Sequence, residues 1–85
     1  MRADRVLRAV GRRFAELRAR RGLTQETLAE RIGVSLKYLQ RIEAGRENLT
    51  LKSLVELANT FRVKVDDLFR RPVSLAVRRG RPRKR

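Results

Sequence analysis

The side chains of this sequence that could do chemistry are mainly positively charged hydrogen-bond donors. Lys37 and Arg41 are four positions apart, so on a helix they would project from the same face, one turn from each other. A second group of donors lies at the end of the chain, where residues 78–85 read RRGRPRKR. Ammonium and guanidinium groups bind carboxylates, phosphates and the acceptor atoms of base edges. Both groups of residues therefore indicate recognition of an acidic partner.

The residue types that usually carry catalysis are scarce. The sequence has no Cys and no His, which removes thiol nucleophiles, the commonest general base and most zinc sites. Asp66 and Asp67 form a carboxylate pair, but they lie in the predicted first turn of a helix, where the helix dipole accounts for them. Four glycines are interpreted as punctuating the predicted helices, and they form no phosphate-binding loop: Gly11, Gly22, Gly33 and Gly45. We expect a protein that is not an enzyme and that needs no cofactor and no metal ion.

The charge of the chain is strongly positive and unevenly distributed. The net charge is +14, from 23 Lys and Arg against 9 Asp and Glu, and residues 70–85 contain eight of the basic residues and none of the acidic ones. Nucleic acid is the first candidate for a polyanionic partner. An acidic membrane surface is less favoured, because the tail lacks aromatic anchors and no apolar run is long enough to span a bilayer. We expect a cytoplasmic, nucleoid-associated protein that does not contact a membrane.

The spacing of apolar residues predicts five short helices and no strand in residues 1–71. The first covers 5–21, with arginines such as Arg13 largely off its apolar stripe. Thr24, Ser35 and Thr50 are predicted N-caps of the next three helices, at 25–32, 35–44 and from 51 onwards. A short fifth helix would contain residues 65–69, and all three Phe residues are expected in the core. Pro72 then separates this domain from a flexible basic tail, residues 72–85.

The segment from Gln25 to Ala44 has the pattern of two helices that cross at a tight turn. Ala29 is small enough for a close helix crossing, and Gly33 accepts a positive φ at the turn. Apolar residues then fill the angle between the helices: Leu28, Ile32, Val34, Leu39 and Ile42. This pattern indicates a helix-turn-helix motif, the alternative being an ordinary helical hairpin. The apolar periodicity leaves Lys37 and Arg41 on the outer face of the second helix.

Two consecutive stretches, GLTQETLAERIGVSLKYLQRIEAG and RENLTLKSLVELANTFRVKVDDLF, resemble the Cro and phage-repressor (XRE) family of helix-turn-helix domains. The resemblance covers about residues 11–69. It implies an all-α, compact, five-helix lambda-repressor-like DNA-binding domain that places its second motif helix in the major groove. Relatives often have proline where this chain has Leu49, and glycine where it has Arg62, so α-helix termination at Arg62 is expected to need an unusual conformation.

The resemblance also implies roles for individual residues. The expected base contacts are Ser35, Leu36, Lys37 and Arg41, and the expected phosphate contacts are Gln25, Tyr38, Arg46 and Asn48. Leu36 could instead pack against the domain, Tyr38 could be half-buried, and Arg46 could simply be solvated. Arg18 and Glu43 occupy the positions of a structural ion pair. A dimer surface that includes Phe61, Val63 and Val65 is expected by analogy.

The end of the tail resembles the AT-hook core. Arg79, Gly80, Arg81, Pro82 and Arg83 would lie along the minor groove of A·T-rich DNA, since Gly80 does not obstruct entry and Pro82 keeps the chain extended. The alternative is a basic tail that attracts phosphates without base preference. Residues 73–77 are either a spacer or a strand that pairs with a second chain.

These features predict a sequence-specific transcriptional regulator, and we expect a repressor that binds duplex DNA as a homodimer on an inverted repeat. An alternative is the antitoxin of a toxin–antitoxin pair, which would also bind a toxin partner. A third class is an RNA-associated protein, which the shortage of exposed aromatic residues disfavours.

Overall fold

The computed structural model describes residues 2–70, which form four α-helices and one 3-10 helix. The α-helices are α1 (Ala3–Arg20), α2 (Gln25–Ile32), α3 (Leu36–Glu43) and α4 (Leu51–Thr60), and the 3-10 helix is Val65–Phe69. No strand occurs in this part of the chain. The predicted all-α fold is therefore confirmed for residues 2–70, but the predicted fifth helix is a 3-10 helix. The tail predictions, including those for 73–77, Arg79, Gly80, Arg81, Pro82 and Arg83, lie outside the described residues.

The three predicted N-caps are confirmed. The side-chain oxygens of Thr24, Ser35 and Thr50 each accept a hydrogen bond, at 3.0 Å, from the backbone N–H of the residue three positions later. Each cap satisfies a donor that the first turn of a helix would otherwise leave unpaired, which stabilises a helix by about 1 kcal/mol. Helices of only 8 residues, such as α2 and α3, are too short to form alone, so these caps and the tertiary packing define where they begin.

Gly33 ends α2 with the predicted positive φ, 74°. Its N–H donates to the carbonyl oxygen of Glu30 at 3.3 Å, and the N–H of Val34 donates to that of Ala29 at 3.0 Å, which is the Schellman arrangement. Ser35 follows immediately as the cap of α3. The turn between the two helices therefore occupies three residues, as a helix-turn-helix motif requires.

The hydrophobic core receives side chains from every helix. At its centre the rings of Phe14 in α1 and Phe61 after α4 lie 4.9 Å apart, tilted by 60°. Phe61 is 1% exposed, so the expectation that it lies on a dimer surface is wrong. Phe69 is 51% exposed, so the expectation that all three Phe residues lie in the core is also wrong. The buried hydrophobic side chains of the core are Val10, Phe14, Leu17, Leu28, Ala29, Leu39, Ile42, Leu57, Ala58, Phe61 and Leu68.

Two glycines allow α1 to approach the end of α3 closely. A Cβ atom at Gly11 would overlap the carbonyl oxygen of Ile42 and lie 2.8 Å from that of Glu43. A Cβ at Gly45 would lie 2.6 Å from the Cα of Arg8. Gly11 therefore lies inside α1 and serves helix packing, so the interpretation that it punctuates a helix is wrong. The contact sets the distance between α1 and the second helix of the motif.

Arg13 is buried, contrary to the expectation that it lies off the apolar stripe of α1. Its Nη1 donates to Oε1 of Glu16 at 2.8 Å, and its Nε donates to the carbonyl oxygen of Asp67 at 2.9 Å. The charge is tolerated in the interior because it is paired and its donors have acceptors. This side chain attaches the 3-10 helix to α1.

Candidate nucleic-acid interface

The helix α3 has one buried face and one face open to solvent. Leu39 and Ile42 are buried in the core, whereas Lys37 and Arg41 are exposed. Four residues of α-helix rise by about 6 Å, so the two cationic groups leave the helix about two base-pair steps apart. An Arg or Lys in this position can donate to O6 and N7 of guanine in a major groove. The outer face of α3 is thus chemically suited to reading base edges.

Arg41 has a partner that the sequence interpretation missed. Its Nε lies 3.1 Å from Oε1 of Glu47, in the loop that follows α3. The Arg41 side chain remains 55% exposed, so the pair restrains the guanidinium without burying it. Exposed pairs of this kind contribute under about 1 kcal/mol to stability, so orienting the guanidinium is the larger consequence. An acidic residue shortly after a basic helix face was the only sequence signal for Glu47.

The first residues of α3 combine structural and surface roles. The hydroxyl oxygen of Ser35 accepts from the N–H of Tyr38, and the same hydroxyl can still donate to an external acceptor. Leu36 is half-buried but is not among the side chains packed against the core. Its methyl groups are therefore partly open, as contact with a thymine methyl would need. The predicted base contacts Ser35, Leu36, Lys37 and Arg41 lie within two turns of one helix.

The predicted phosphate contact Gln25 is held by a hydrogen bond within the protein. Its Nε2 donates to Oε1 of Glu43 at 2.8 Å, which connects the first residue of α2 to the last residue of α3. The amino end of α2 also presents unpaired backbone N–H groups and the positive end of the helix dipole. The Gln25 side chain is therefore positioned at a helix end that attracts anions.

Arg18 and Glu43 form a two-point ion pair. Nε and Nη2 of Arg18 donate to Oε2 and Oε1 of Glu43 at 2.7 and 3.1 Å, and Nη1 of Arg18 donates to the carbonyl oxygen of Leu23 at 2.7 Å. The Glu43 side chain is only 7% exposed. Together with Gln25, these contacts join α1, the loop before α2, α2 itself and α3. They fix the orientation of the outer face of α3 relative to the rest of the fold.

The other predicted phosphate contacts differ in their surroundings. Tyr38 is half-buried and packs against the core, as in the alternative considered for it. Arg46 and Asn48 are exposed between α3 and α4, and their side chains form no hydrogen bond or ion pair with other residues of 2–70. Both can therefore reach an external group without breaking a contact within the described fold.

Residues 2–70 contain neither a metal-binding cluster nor a membrane-spanning helix. No group of three or more carboxylates lies close enough together to hold a metal ion there. None of the helices described is both long enough and apolar enough to cross a membrane.

Known sequences show what this chain is similar to. The helix-turn-helix family model HTH_3 matches residues 14–68. An HTH-type transcriptional regulator from Sinorhizobium fredii, y4dJ, is 48% identical over 54 residues, which are 64% of this chain and 70% of the relative. An HTH-type transcriptional regulator from Archaeoglobus fulgidus is 37% identical over 57 residues, which are 67% of this chain and 81% of that protein.

Two solved structures of related sequence superimpose on most of this chain. The restriction-modification controller protein C.AhdI from Aeromonas hydrophila superimposes with a TM-score of 0.67 at 36% identity, over 74% of this chain and 96% of the controller. A hypothetical transcription factor from Neisseria gives a TM-score of 0.70 at 27% identity, over 86% of this chain and 85% of that one. The structural similarity thus covers most of this chain, and the family match over residues 14–68 includes α3.

Proposed function

Because the chain belongs to the HTH_3 family of DNA-binding helix-turn-helix transcriptional regulators, we propose that it represses transcription by binding a specific duplex sequence with α3. The observation that carries this proposal is the orientation of α3. Its apolar face is buried and its cationic face is exposed, so Lys37 and Arg41 can enter a major groove without any rearrangement of the fold. A protein bound in this way blocks access to promoter DNA and needs no catalysis.

Base reading and backbone positioning are assigned to different residues in this proposal. Lys37 and Arg41 donate to guanine acceptors, while Ser35 and Leu36 contact neighbouring base edges. The proposed backbone contacts are Gln25 at the start of α2, Tyr38 in α3, and Arg46 and Asn48 in the loop after α3. Phosphate contacts set the register of α3 along the groove, and only the base contacts select a sequence.

We also propose that the protein binds DNA as a homodimer on an inverted repeat. Burial of Phe61 removes it from the expected dimer surface, but three other apolar side chains are exposed: Leu51 (72%), Val55 (40%) and Phe69 (51%). Leu51 and Val55 are four residues apart on α4 and share a face. Covering these side chains with a second copy would remove apolar area from water. Binding to an inverted repeat requires the two α3 helices of such a dimer to lie about 34 Å apart, one helical turn of DNA.

The basic tail has a supporting role in the proposal. Arg79, Arg81 and Arg83, with Gly80 and Pro82, either enter an A·T-rich minor groove beside the major-groove site or bind phosphates there. In both cases the tail adds a salt-dependent contribution to affinity. We therefore also propose that the protein is associated with the nucleoid, in the cytoplasm.

Selection of duplexes from a random pool tests the proposed function directly. The full-length chain should enrich a consensus with two inverted half-sites, centred about ten base pairs apart. An adjoining A·T tract in the consensus would support the minor-groove assignment of the tail. Failure to enrich any sequence over the starting pool, at a salt concentration where duplex DNA still binds, would contradict the proposal.

A further inference from the structure

A concave surface, separate from the outer face of α3, lies where three helices of the fold end. The carboxyl ends of α1, α2 and α4 meet around an open cleft of about 610 Å³. Arg21, Arg31 and Arg62 line it, together with Phe61 and the partly buried side chains of Leu23 and Ile32. Its volume is within the range of clefts that bind small molecules.

Residues 2–70 provide no carboxylate partner for the positive charge of this cleft. No acidic residue lines it, and none of the ion pairs found within residues 2–70 involves Arg21, Arg31 or Arg62. Elsewhere in the fold, arginines such as Arg13, Arg18 and Arg41 have carboxylate partners. Three guanidinium groups beside one concavity, without a carboxylate, create a local site that favours an anion.

Arg62 adopts a backbone conformation that favours glycine. Its φ is 57°, and it is the one non-glycine residue of the described fold with a positive φ. Glycine would end α4 at this position without steric strain, and relatives of the kind that the sequence resembles often have it. The strained residue therefore brings a guanidinium group to the cleft at a conformational penalty, and such strain is found preferentially at functional positions.

Arg21 is held in position beside the cleft. Its Nη2 donates to the carbonyl oxygen of Phe61 at 2.5 Å, and its guanidinium carbon lies 5.0 Å from the centre of the Phe61 ring. Stacking on an aromatic face and hydrogen bonding to a fixed carbonyl reduce the freedom of a long side chain. A cation that is already ordered loses less entropy when it binds an anion.

We propose that this cleft binds a small organic anion, with its negatively charged groups against the three arginines and its apolar part against Leu23 and Ile32. The assignment is independent of the proposed function, since it involves none of the residues proposed to contact DNA. A concavity of this size suits a ligand of this class better than the wide, convex backbone of a duplex.

The same arginines also lie near helix carboxyl ends, where a positive charge stabilises the helix dipole. That role alone predicts a lower melting temperature when the arginines are replaced, but it predicts no ligand binding. Binding of an anion to the folded protein therefore distinguishes the two roles.

The test uses the full-length chain and 1-anilinonaphthalene-8-sulfonate, a probe with one sulfonate group and an aromatic body. Titration followed by fluorescence and calorimetry should show saturable binding at one site per chain. The double variant Arg31→Gln/Arg62→Gly should bind at least tenfold more weakly while remaining folded, because the glycine relieves the strain at position 62. The matched control is Arg5→Gln/Arg12→Gln, which removes the same charge from exposed residues of α1 that form no ion pair in the described fold. It should bind the probe within twofold of the parent.

Three results would overturn the proposal. The first is the absence of saturable binding by the parent, and the second is an equal loss of binding in both double variants. The third comes from titrating both variants with a 30-base-pair duplex of random sequence. If Arg31→Gln/Arg62→Gly lost clearly more affinity for this duplex than the control did, the cleft would belong to the DNA contact surface and the small-anion assignment would be wrong.

Discussion

Arg18 and Glu43 are 25 positions apart in the sequence and form two hydrogen bonds, at 2.7 and 3.1 Å. The pair connects the long helix α1 to the last residue of α3, and Glu43 also accepts from Gln25. A carboxylate that is nearly buried and has three donors is a structural group. Its contribution is to hold the cationic face of α3 in a fixed orientation.

Replacing Glu43 should therefore destabilise the fold before it changes base preference. Glu43→Ala leaves the Arg18 guanidinium partly buried without its partner, and we expect a loss of about 2–3 kcal/mol in the free energy of unfolding. For a domain of this size such a loss lowers the melting temperature by roughly 10–20 °C. Thermal unfolding followed by circular dichroism measures it.

The matched control for this variant is Glu30→Ala, which removes an exposed carboxylate of α2 that forms no ion pair in the described fold. It should unfold within a few degrees of the parent. Equal melting temperatures for Glu43→Ala and the parent would reject the structural role.

Gly11 should tolerate no side chain, despite its position inside a helix. Alanine at an open helix position stabilises by about 1 kcal/mol relative to glycine, so helix propensity alone predicts a gain. The Cβ of Gly11→Ala would instead meet the carbonyl oxygens of Ile42 and Glu43 and would push α1 and α3 apart. We expect a net loss of about 1–3 kcal/mol in urea unfolding. A variant more stable than the parent would show that the helices have room to separate.

Several parts of this fold could be predicted because their signals are local. Thr24, Ser35 and Thr50 bond to backbone atoms three residues away, and Gly33 ends its own helix, so adjacent residues contain all the information needed. The expectation of an unusual conformation at Arg62 also depends on local sequence, because Arg62 stands where relatives often have glycine. Its observed φ is 57°, in the left-handed region.

Other features could not be predicted because they depend on residues that are distant in the sequence. Arg13 is buried because Asp67, 54 positions later, offers its carbonyl oxygen. The packing role of Gly11 could not be predicted, because its neighbours in α3 cannot be identified from the sequence of α1. The sequence predicts a short helix at residues 65–69 but not its 3-10 type, since five residues are too few for their apolar spacing to distinguish a 3-10 helix from an α-helix.

Glu47 should influence DNA binding in two opposite ways. Glu47→Gln removes the carboxylate that restrains Arg41, so preference for the base pair read by Arg41 should fall by up to about 1 kcal/mol. Affinity for random duplex should rise, because a negative charge near the phosphates is lost. Competition gel shifts with the selected site and with random DNA measure both effects. The control Glu56→Gln makes the same charge change on α4, and identical behaviour of the two variants would exclude an orienting role for Glu47.

The proposed dimer surface predicts a specific defect. Leu51→Ser removes an exposed apolar side chain from each copy, and we expect the dimer dissociation constant to rise about tenfold to a hundredfold. Sedimentation equilibrium measures this change, and Lys52→Ser is the control on the adjacent, charged position. A parent chain that remains monomeric on its selected DNA would contradict the dimer, and an unchanged constant for Leu51→Ser would place its interface elsewhere.

The most direct test of base reading is the affinity of Arg41→Ala for a panel of duplexes that differ from the selected site by one base pair. If Arg41 reads a guanine, the variant should lose about 1–3 kcal/mol of discrimination at one base pair per half-site and keep its preferences at the others. Lys37→Ala should show the same loss at a neighbouring base pair, and Lys52→Ala, a charge change on α4, should show none. If Arg41→Ala instead weakened binding to every duplex in the panel equally, Arg41 would be a phosphate contact, and the proposal that α3 reads sequence through its cationic face would be contradicted.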